Sequence, residues 1–538
     1  MTEVVKLALK GRVVSMDAAD RVHANAIVYV NGHLIEAIAN ANAAPPPGFE
    51  NVKVLNTRGT LYPGLMDLHN HLSYDALAMW KVPRQYTNRD DWGAHADYRR
   101  LISGPMNVLG QTDGFPEAIA RFAECKSLLG GVTTSQGIAL FSNIGIRRYY
   151  HGLLRNVEIS DGPDLPAAKA RISDVEAKSA SQFLAYLKTC SCLLLHLSEG
   201  TDTRARNHFH ALTLPDGRVA ITDALVGIHC VALQRADFKL LAAQGGGMVW
   251  SPLSNLLLYG KTADMAAARA EGLTIGLGSD WSPSGSKSLL GELKAAHAYS
   301  EENGRLFSPR DIVAMATRNA AKLLKWDQGL GSLEAGKRAD LLVVRGSSGD
   351  PYLQLIKARE NDLSLVMIDG IRRYGLPSLM PEATGLEDWK VAGLRRRLDL
   401  RIPDTLASAS RLSLRQAVDR LRKGLQELSA LAHVLEHPPP QLRRASARLT
   451  PRWFLELEHE EPAGLSIRTR FQGEPDAPRK ISAMINPTAV SVPLSSLLGP
   501  LQLDALTVVD DHRFLDRLDA QVNLPPAFKT ALRKAYQR

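Results

Sequence analysis

Short apolar runs bounded by glycine, proline and small polar residues alternate along much of the chain with stretches whose apolar residues return every three or four positions. The first pattern reads as buried β-strand and the second as amphipathic helix. In the first sixty residues the strand pattern stands alone. AIVYV and HLIEAIA flank Asn31-Gly32, a pair that suits a tight hairpin turn because both residues tolerate positive φ. APPPG at 44–48 reads as a loop, and NVKVLNTRGTLYPG as a further short strand. From 63 to 330 the runs GVTTSQG, LLRNVEI, CLLLHLSEG, LVGIHC, GGMVWSP and TIGLGSD alternate with helical stretches such as FPEAIARFAECKSLL and RADFKLLAAQ. Such alternation predicts an α/β fold, a (β/α)8 TIM barrel.

SPRDIVAMATRNAAKLLKW predicts one late helix, with Ser308 as N-cap, Pro309 in the first turn and Asp311 near the positive end of the dipole. GSLEAGKRADLLVV and SLVMIDGIRRYG then return to strand character, with a second hairpin turn at Asp369-Gly370. Strand-rich segments therefore bracket the barrel, and they predict a small β-sandwich built from 1–62 and 331–385. The remainder, 386–538, reads as a separate C-terminal α+β extension. Leu414, Val418, Leu421, Leu425, Leu428, Leu431 and Leu435 predict a single helix there, with Leu421, Leu425 and Leu428 buried against the barrel or another subunit. RWFLELEHEEPAGLSIRTRF predicts a strand pair, and FLDRLDAQVNLPPAFKTALRKAYQ two short helices broken at the double proline. The extension carries no catalytic motif and the chain no internal repeat.

Composition narrows the class. A chain of 538 residues, 45% hydrophobic and 22% charged, is that of a multidomain globular protein rather than a disordered or fibrous one. The N-terminus lacks a basic segment followed by an apolar core, and no apolar run reaches the roughly 20 residues of a membrane span. A cytoplasmic, membrane-free enzyme is expected. The four cysteines (Cys125, Cys190, Cys192 and Cys230) read as core thiols, since Cys190-x-Cys192 has no second thiol pair to complete a metal site. The net charge of +9 gathers in segments such as LRRRLDLR and QLRR, and is read as a solvated helix face rather than a nucleic-acid surface.

The chemistry begins at LYPGLMDLHNHLSYD. In extended chain His69 and His71 point to the same side, where two imidazoles can grip one metal ion. Four further polar residues close strand candidates: His196 and Glu199 in CLLLHLSEG, His229 in LVGIHC and Asp280 in TIGLGSD. Strand ends of a barrel meet at one rim, so these residues are expected to share a site.

PGLMDLHNH, GVTT, HLSE, GIHC with SPLSN, LGSD and GSLEAGKRADLLVV, in this order over about 1–375, resemble the amidohydrolase superfamily. The likeness is to the aminohydrolase and chlorohydrolase branch, with cytosine, guanine and adenosylhomocysteine deaminases and triazine hydrolases. The resemblance implies His69, His71, His196 and Asp280 as ligands of one divalent metal, Zn2+ first and Fe2+ as the other candidate. Branches with two metals use a carboxylated lysine on the fourth strand, and YYHGLLRNVEIS offers none. It further implies Asp280, Glu199 and His229 as catalytic groups: Asp280 accepts the proton of a metal-activated water, Glu199 passes a proton to the substrate, and His229 polarises the attacking water. Asn255 would support the site by hydrogen bonding. Tyr86, Asn88, Arg89 and Trp92 are candidate substrate contacts, and His208 or His210 could line the pocket. The expected reaction is deamination of a small N-heterocyclic substrate. The alternatives are hydrolysis of a cyclic amide, imide or carbon–halogen bond on the same site, or a non-catalytic scaffold with a basic tail. A homo-oligomer is expected.

Overall fold

The computed structural model describes residues 5–136, 140–142, 152–160, 162–171, 180–402, 411–437, 453–455 and 492–537. Parallel strands form the centre. Leu65–Asp67, Val132–Ser135 and Arg155–Asn156 make one sheet, and Lys169–Arg171, Leu193–Leu197, Leu225–His229, Gly247–Trp250 and Thr274–Leu277 make another, each in chain order. Backbone hydrogen bonds link the two: Ala168 N–H to Val157 O at 2.8 Å on one side, and on the other Leu68 N–H to Leu277 O at 3.2 Å, Asp280 N–H to His69 O at 2.8 Å and His71 N–H to Asp280 O at 2.6 Å. The central strands are buried throughout, as parallel strands covered on both faces must be. Of the helices between them, Phe115–Leu129 and Arg235–Ala243 lie where periodicity puts them.

Both flanks contribute to one mixed sheet of nine strands rather than to two separate sheets. Its order is Glu387–Val391, Leu394–Leu398, Ile371–Gly375, Leu363–Ile368, Leu341–Arg345, Val54–Pro63, Lys6–Val14, Val22–Asn31 and Leu34–Asn40. Register shifts at Gly11/Val13, Val343/Val344 and Val366/Met367 break the ladder without ending it. The sheet also runs past 385. Residues 387–398, expected in the extension, add its last hairpin, turned by Ala392 and Gly393 at φ of 48° and 75°.

Three local expectations shift for one physical reason, competition for backbone groups. The first hairpin turns at Gly32-His33, not Asn31-Gly32, because Asn31 stays in the ladder opposite Lys6 and Leu34. Asp369-Gly370 does turn as expected, both at positive φ. The late helix keeps its Ser308/Asp311 capping box but splits into Pro309–Met315 and Arg318–Leu324, since Ala316 O accepts the Met66 N–H of the first parallel strand. The helix of the extension splits into Leu414–Gln426 and Leu428–Glu436, since Leu425 O accepts Leu501 N–H at 2.8 Å.

The extension is not a separate body. Leu421, Leu425 and Leu428 are buried, and Leu414–Gln426 packs against Phe115–Leu129. Asp504, itself buried, joins Lys126 (2.7 Å) and Lys287 of the central unit. The helices Phe514–Asp519 and Pro526–Tyr536 flank the double proline as predicted, while most of the expected strand pair at 452–471 lies outside the described residues. Cys125, Cys192 and Cys230 are buried free thiols. No helix among the described residues is long and apolar enough to cross a membrane.

Candidate metal centre

The strand ends bring the expected residues together. Nε2 of His69 lies 3.0 Å and Nε2 of His71 3.5 Å from Oδ1 of Asp280. The rings of His69 and His196 are 4.7 Å apart, and those of His69 and His229 4.9 Å. Donor atoms of His69, His196 and His229, and of His69, His71 and Asp280, all lie within 4.8 Å of one another in each group, and every one of these residues is buried.

The chain must bend sharply to aim these groups. Ser198, His229, Cys230 and Asp280 have φ of 53°, 67°, 52° and 64°, a left-handed region that costs side-chain-bearing residues about 1–3 kcal/mol each and clusters at functional sites. Behind His69 the backbone comes so close that only glycine fits: a Cβ on Gly278 would sit 2.4 Å from His69 Cβ.

Two of the rings, His69 and His229, are oriented from behind. His69 Nδ1 faces Gln136 Oε1 at 3.4 Å, and His229 Nδ1 faces Asn255 Oδ1 at 2.8 Å. Asn255 Nδ2 in turn donates to Thr262 Oγ1 at 3.1 Å, so Oδ1 is the atom turned to the ring. In the neutral imidazole the hydrogen therefore sits on Nδ1, and the Nε2 lone pair faces the cluster. Burial, then the neighbouring His69, hold His71 and His196 well below the ordinary histidine range, which keeps them neutral; the Arg89 charge adds to this in both. Burial likewise lowers His229, against the pull of Glu199. For Asp280 burial acts upward, but the surrounding His69, His229 and His71 outweigh it and hold the carboxylate below its ordinary range.

These donors fit a divalent cation. Nε2 of His69 has no aligned hydrogen-bond partner despite its 3.0 Å approach to Asp280, and Nδ1 of His71 has none either. Neutral imidazoles and one carboxylate converging on a common point form the donor set of zinc and similar ions.

Glu199 stands beside the cluster, its Oε1 3.9 Å from His229 Nε2 and hydrogen-bonded by the Tyr259 hydroxyl at 2.7 Å. Tyr259 accepts from Trp92 Nε1 at 2.9 Å. Trp92 thus reaches the site through Tyr259. Arg89 reaches it through its charge. Asn88 caps the helix Arg89–Gly93 and donates to Asp202. Tyr86 packs with Trp80 and His95. His210 is exposed near Asp237.

Four contributors escaped the sequence reading: Tyr259, Ser254, Gln136 and Asp67. Ser254 donates to Asp280 Oδ2 at 2.5 Å, so the helix Pro252–Tyr259 touches Asp280, His229 and Glu199 through Ser254, Asn255 and Tyr259. One turn of helix beyond Asn255 in SPLSN leads to Tyr259, which is the signal that could have found it. Asp67, raised to about 6 by burial against the bonds from Ser279, joins the His69–His71 turn to Ser279 and hence to Asp280. A cavity of about 590 Å³ lies elsewhere, between Phe122, Trp389, Val418 and Asp504.

The ends of the parallel strands gather histidines and an aspartate, and comparison with known proteins adds likenesses to this geometry. Residues 195–372 match the amidohydrolase family model. A 5-methylthioadenosine/S-adenosylhomocysteine deaminase of Symbiobacterium thermophilum is 34% identical over 167 residues, 28% of this chain and 37% of that protein. One of Desulforudis audaxviator is 25% identical over 377 residues, 62% of this chain and 85% of that protein. The crystal structure of a zinc-bound adenosine deaminase from Xanthomonas campestris superposes with a TM-score of 0.56 at 18% identity, over 78% of this chain and 98% of that one, a likeness of fold. These relatives are named as deaminases, and the matched segment is similar to the amidohydrolase family.

Proposed function

We propose that this protein deaminates a small N-heterocyclic amine, water replacing an exocyclic amino group, on a (β/α)8 barrel that holds one divalent cation, zinc by choice. The observation that carries the reading is the buried carboxylate of Glu199 beside His229 at the edge of the cluster of His69, His71, His196, His229 and Asp280. The barrel reading is supported by the hydrogen bond from Leu68 to Leu277, which brings the first and last parallel strands together. The 5-methylthioadenosine/S-adenosylhomocysteine deaminase names of the relatives support the substrate class.

His69, His71, His196 and Asp280 would hold the cation, which when bound would make a water acidic enough to serve as nucleophile near neutral pH. Ser254 occupies Oδ2 of Asp280 and leaves Oδ1 on the cluster side to take up a proton. His229, fixed by Asn255, presents the Nε2 lone pair to the nucleophile and orients it. Glu199 carries a proton to the ring nitrogen or the departing amine. Tyr259 pins Oε1, and Oε2, buried without a hydrogen-bond partner, is the atom turned to substrate. Arg89 and Trp92 stand on the substrate side.

Elemental mass spectrometry of wild type beside His196→Ala, followed by ammonia release from aminopurines, aminopyrimidines and aminotriazines, tests the reading. One zinc or iron per chain, lost in the variant, and ammonia from at least one amine are expected. Two metals per chain, or metal-loaded protein that releases no ammonia, overturn it.

A further inference from the structure

The C-terminal stretch 503–523 runs along residues 76–84, which lead from the His69–His71 turn to the helix Arg89–Gly93. Leu503 bridges Leu77 antiparallel, and Asp504 N–H donates to Ala76 O at 2.9 Å. Two side-chain amides then take over from the backbone. Gln521 accepts Val82 N–H at 3.2 Å and donates to Trp80 O at 2.9 Å. Asn523 Nδ2 donates to Arg84 O at 2.9 Å and to Leu257 O at 2.7 Å. Both amides are buried, at 1% and 6% exposure.

Leu257 O belongs to the last turn of Pro252–Tyr259, where a helix cannot satisfy its own carbonyls, and Arg84 lies in irregular chain with no ladder to join. One amide therefore satisfies both and ties the rim segment to the helix that bears Ser254, Asn255 and Tyr259. The seam continues with Tyr86 N–H to Leu258 O at 2.9 Å and Trp92 to Tyr259. The stretch lies well beyond residue 372, where the match to the family model ends.

We propose that Asn523 and Gln521 are positioning residues, which set the substrate-facing segment 80–92 against the helix Pro252–Tyr259 and so fix substrate affinity from the C-terminal extension. The kinetic part rests on the deaminase reading above; the structural part does not.

The test is Asn523→Ala in the full chain, with Val418→Ala, on the helix Leu414–Gln426 and outside the Gln521 and Asn523 contacts, as a control that loosens the extension. Asn523→Ala is expected to keep its metal, to speed amide hydrogen exchange in 80–92 by about tenfold, and to raise KM about threefold or more with kcat little changed. Val418→Ala should lower the unfolding midpoint and move neither. Folded, metal-loaded Asn523→Ala with wild-type exchange in 80–92 overturns the proposal, as does an equal rise in KM from Val418→Ala. If Asn523→Ala does not fold, Gln521→Ala is judged by the same criteria. Absence of ammonia release from every amine overturns the deaminase reading alone, and exchange in 80–92 still decides this one.

Discussion

Tyr259 donates its hydroxyl hydrogen to Oε1 of Glu199 across 2.7 Å, joining the end of a helix to the turn that follows the Leu193–Leu197 strand. Removing the hydroxyl in Tyr259→Phe frees the carboxylate that holds and releases a proton in the proposed deamination. A hydrogen bond to a charged group is worth about 1.5–3 kcal/mol, so kcat should fall about 10–100-fold with metal content unchanged. Steady-state kinetics beside elemental analysis check this, and a variant that loses its metal would place Tyr259 in a different role.

Gly278 allows His69 its position. A methyl group there meets His69 Cβ at 2.4 Å and its backbone N at 2.8 Å, atoms that cannot swing aside. Gly278→Ala should cost about 1–3 kcal/mol of stability and weaken metal binding, because relief of the clash moves His69, a ligand in the proposed site. Denaturant unfolding with a metal-competition titration reads both, and wild-type affinity would contradict the expectation.

Asp504 is the shared counter-charge of two buried lysines, Lys126 and Lys287. Asp504→Ala strands Lys126 without its carboxylate and should destabilise the fold by about 3–5 kcal/mol. Burial pushes the Asp504 carboxyl up, but the two lysines outweigh it and hold it below 3.8. Its contribution is therefore present above the ordinary carboxylate range and is lost as pH falls through the lower folded value. Unfolding midpoints of wild type and variant should converge in acid, and a constant gap would exclude this linkage.

Glu292 has the opposite sign. Burial raises it to about 8 against its bonds from Ser286 and from the Leu253 N–H, so the folded state prefers its protonated form. That preference stabilises fully below the unfolded value of 4.5 and is lost as pH rises toward 8. Glu292→Gln, a mimic of the protonated acid, should gain about 2–6 °C in midpoint relative to wild type between acidic and mildly alkaline pH. A difference that does not change with pH would rule it out.

Much of the site was legible because its residues close buried strands. Periodicity located the Leu193–Leu197, Leu225–His229 and Thr274–Leu277 strands, and the polar residue after each apolar run is the one that enters the cluster. His69, His71, His196, His229 and Asp280 were found this way, and Asn255 through the likeness of SPLSN. Ser254 and Gln136 were not, since each acts through a contact with a residue remote in sequence, and Tyr259 is marked only by its place one helical turn beyond Asn255. Trp92, a candidate substrate contact by sequence, also donates to Tyr259.

The sequence by itself determined the type and order of the elements, the capping box at Ser308, the apolar face of Leu414–Gln426 and the chemistry of the donor set. These depend on side-chain spacing and on local backbone preference. Tertiary structure alone decided where the elements break and what the extension does. Ala316 O and Leu425 O leave their helices for the N–H groups of Met66 and Leu501, and Asn31 stays in a ladder beside Lys6. Gln521 and Asn523 read the rim segment as a neighbouring strand would. A backbone carbonyl looks the same whichever residue bears it, so its partner is fixed only when the folded chain brings a competing N–H within reach.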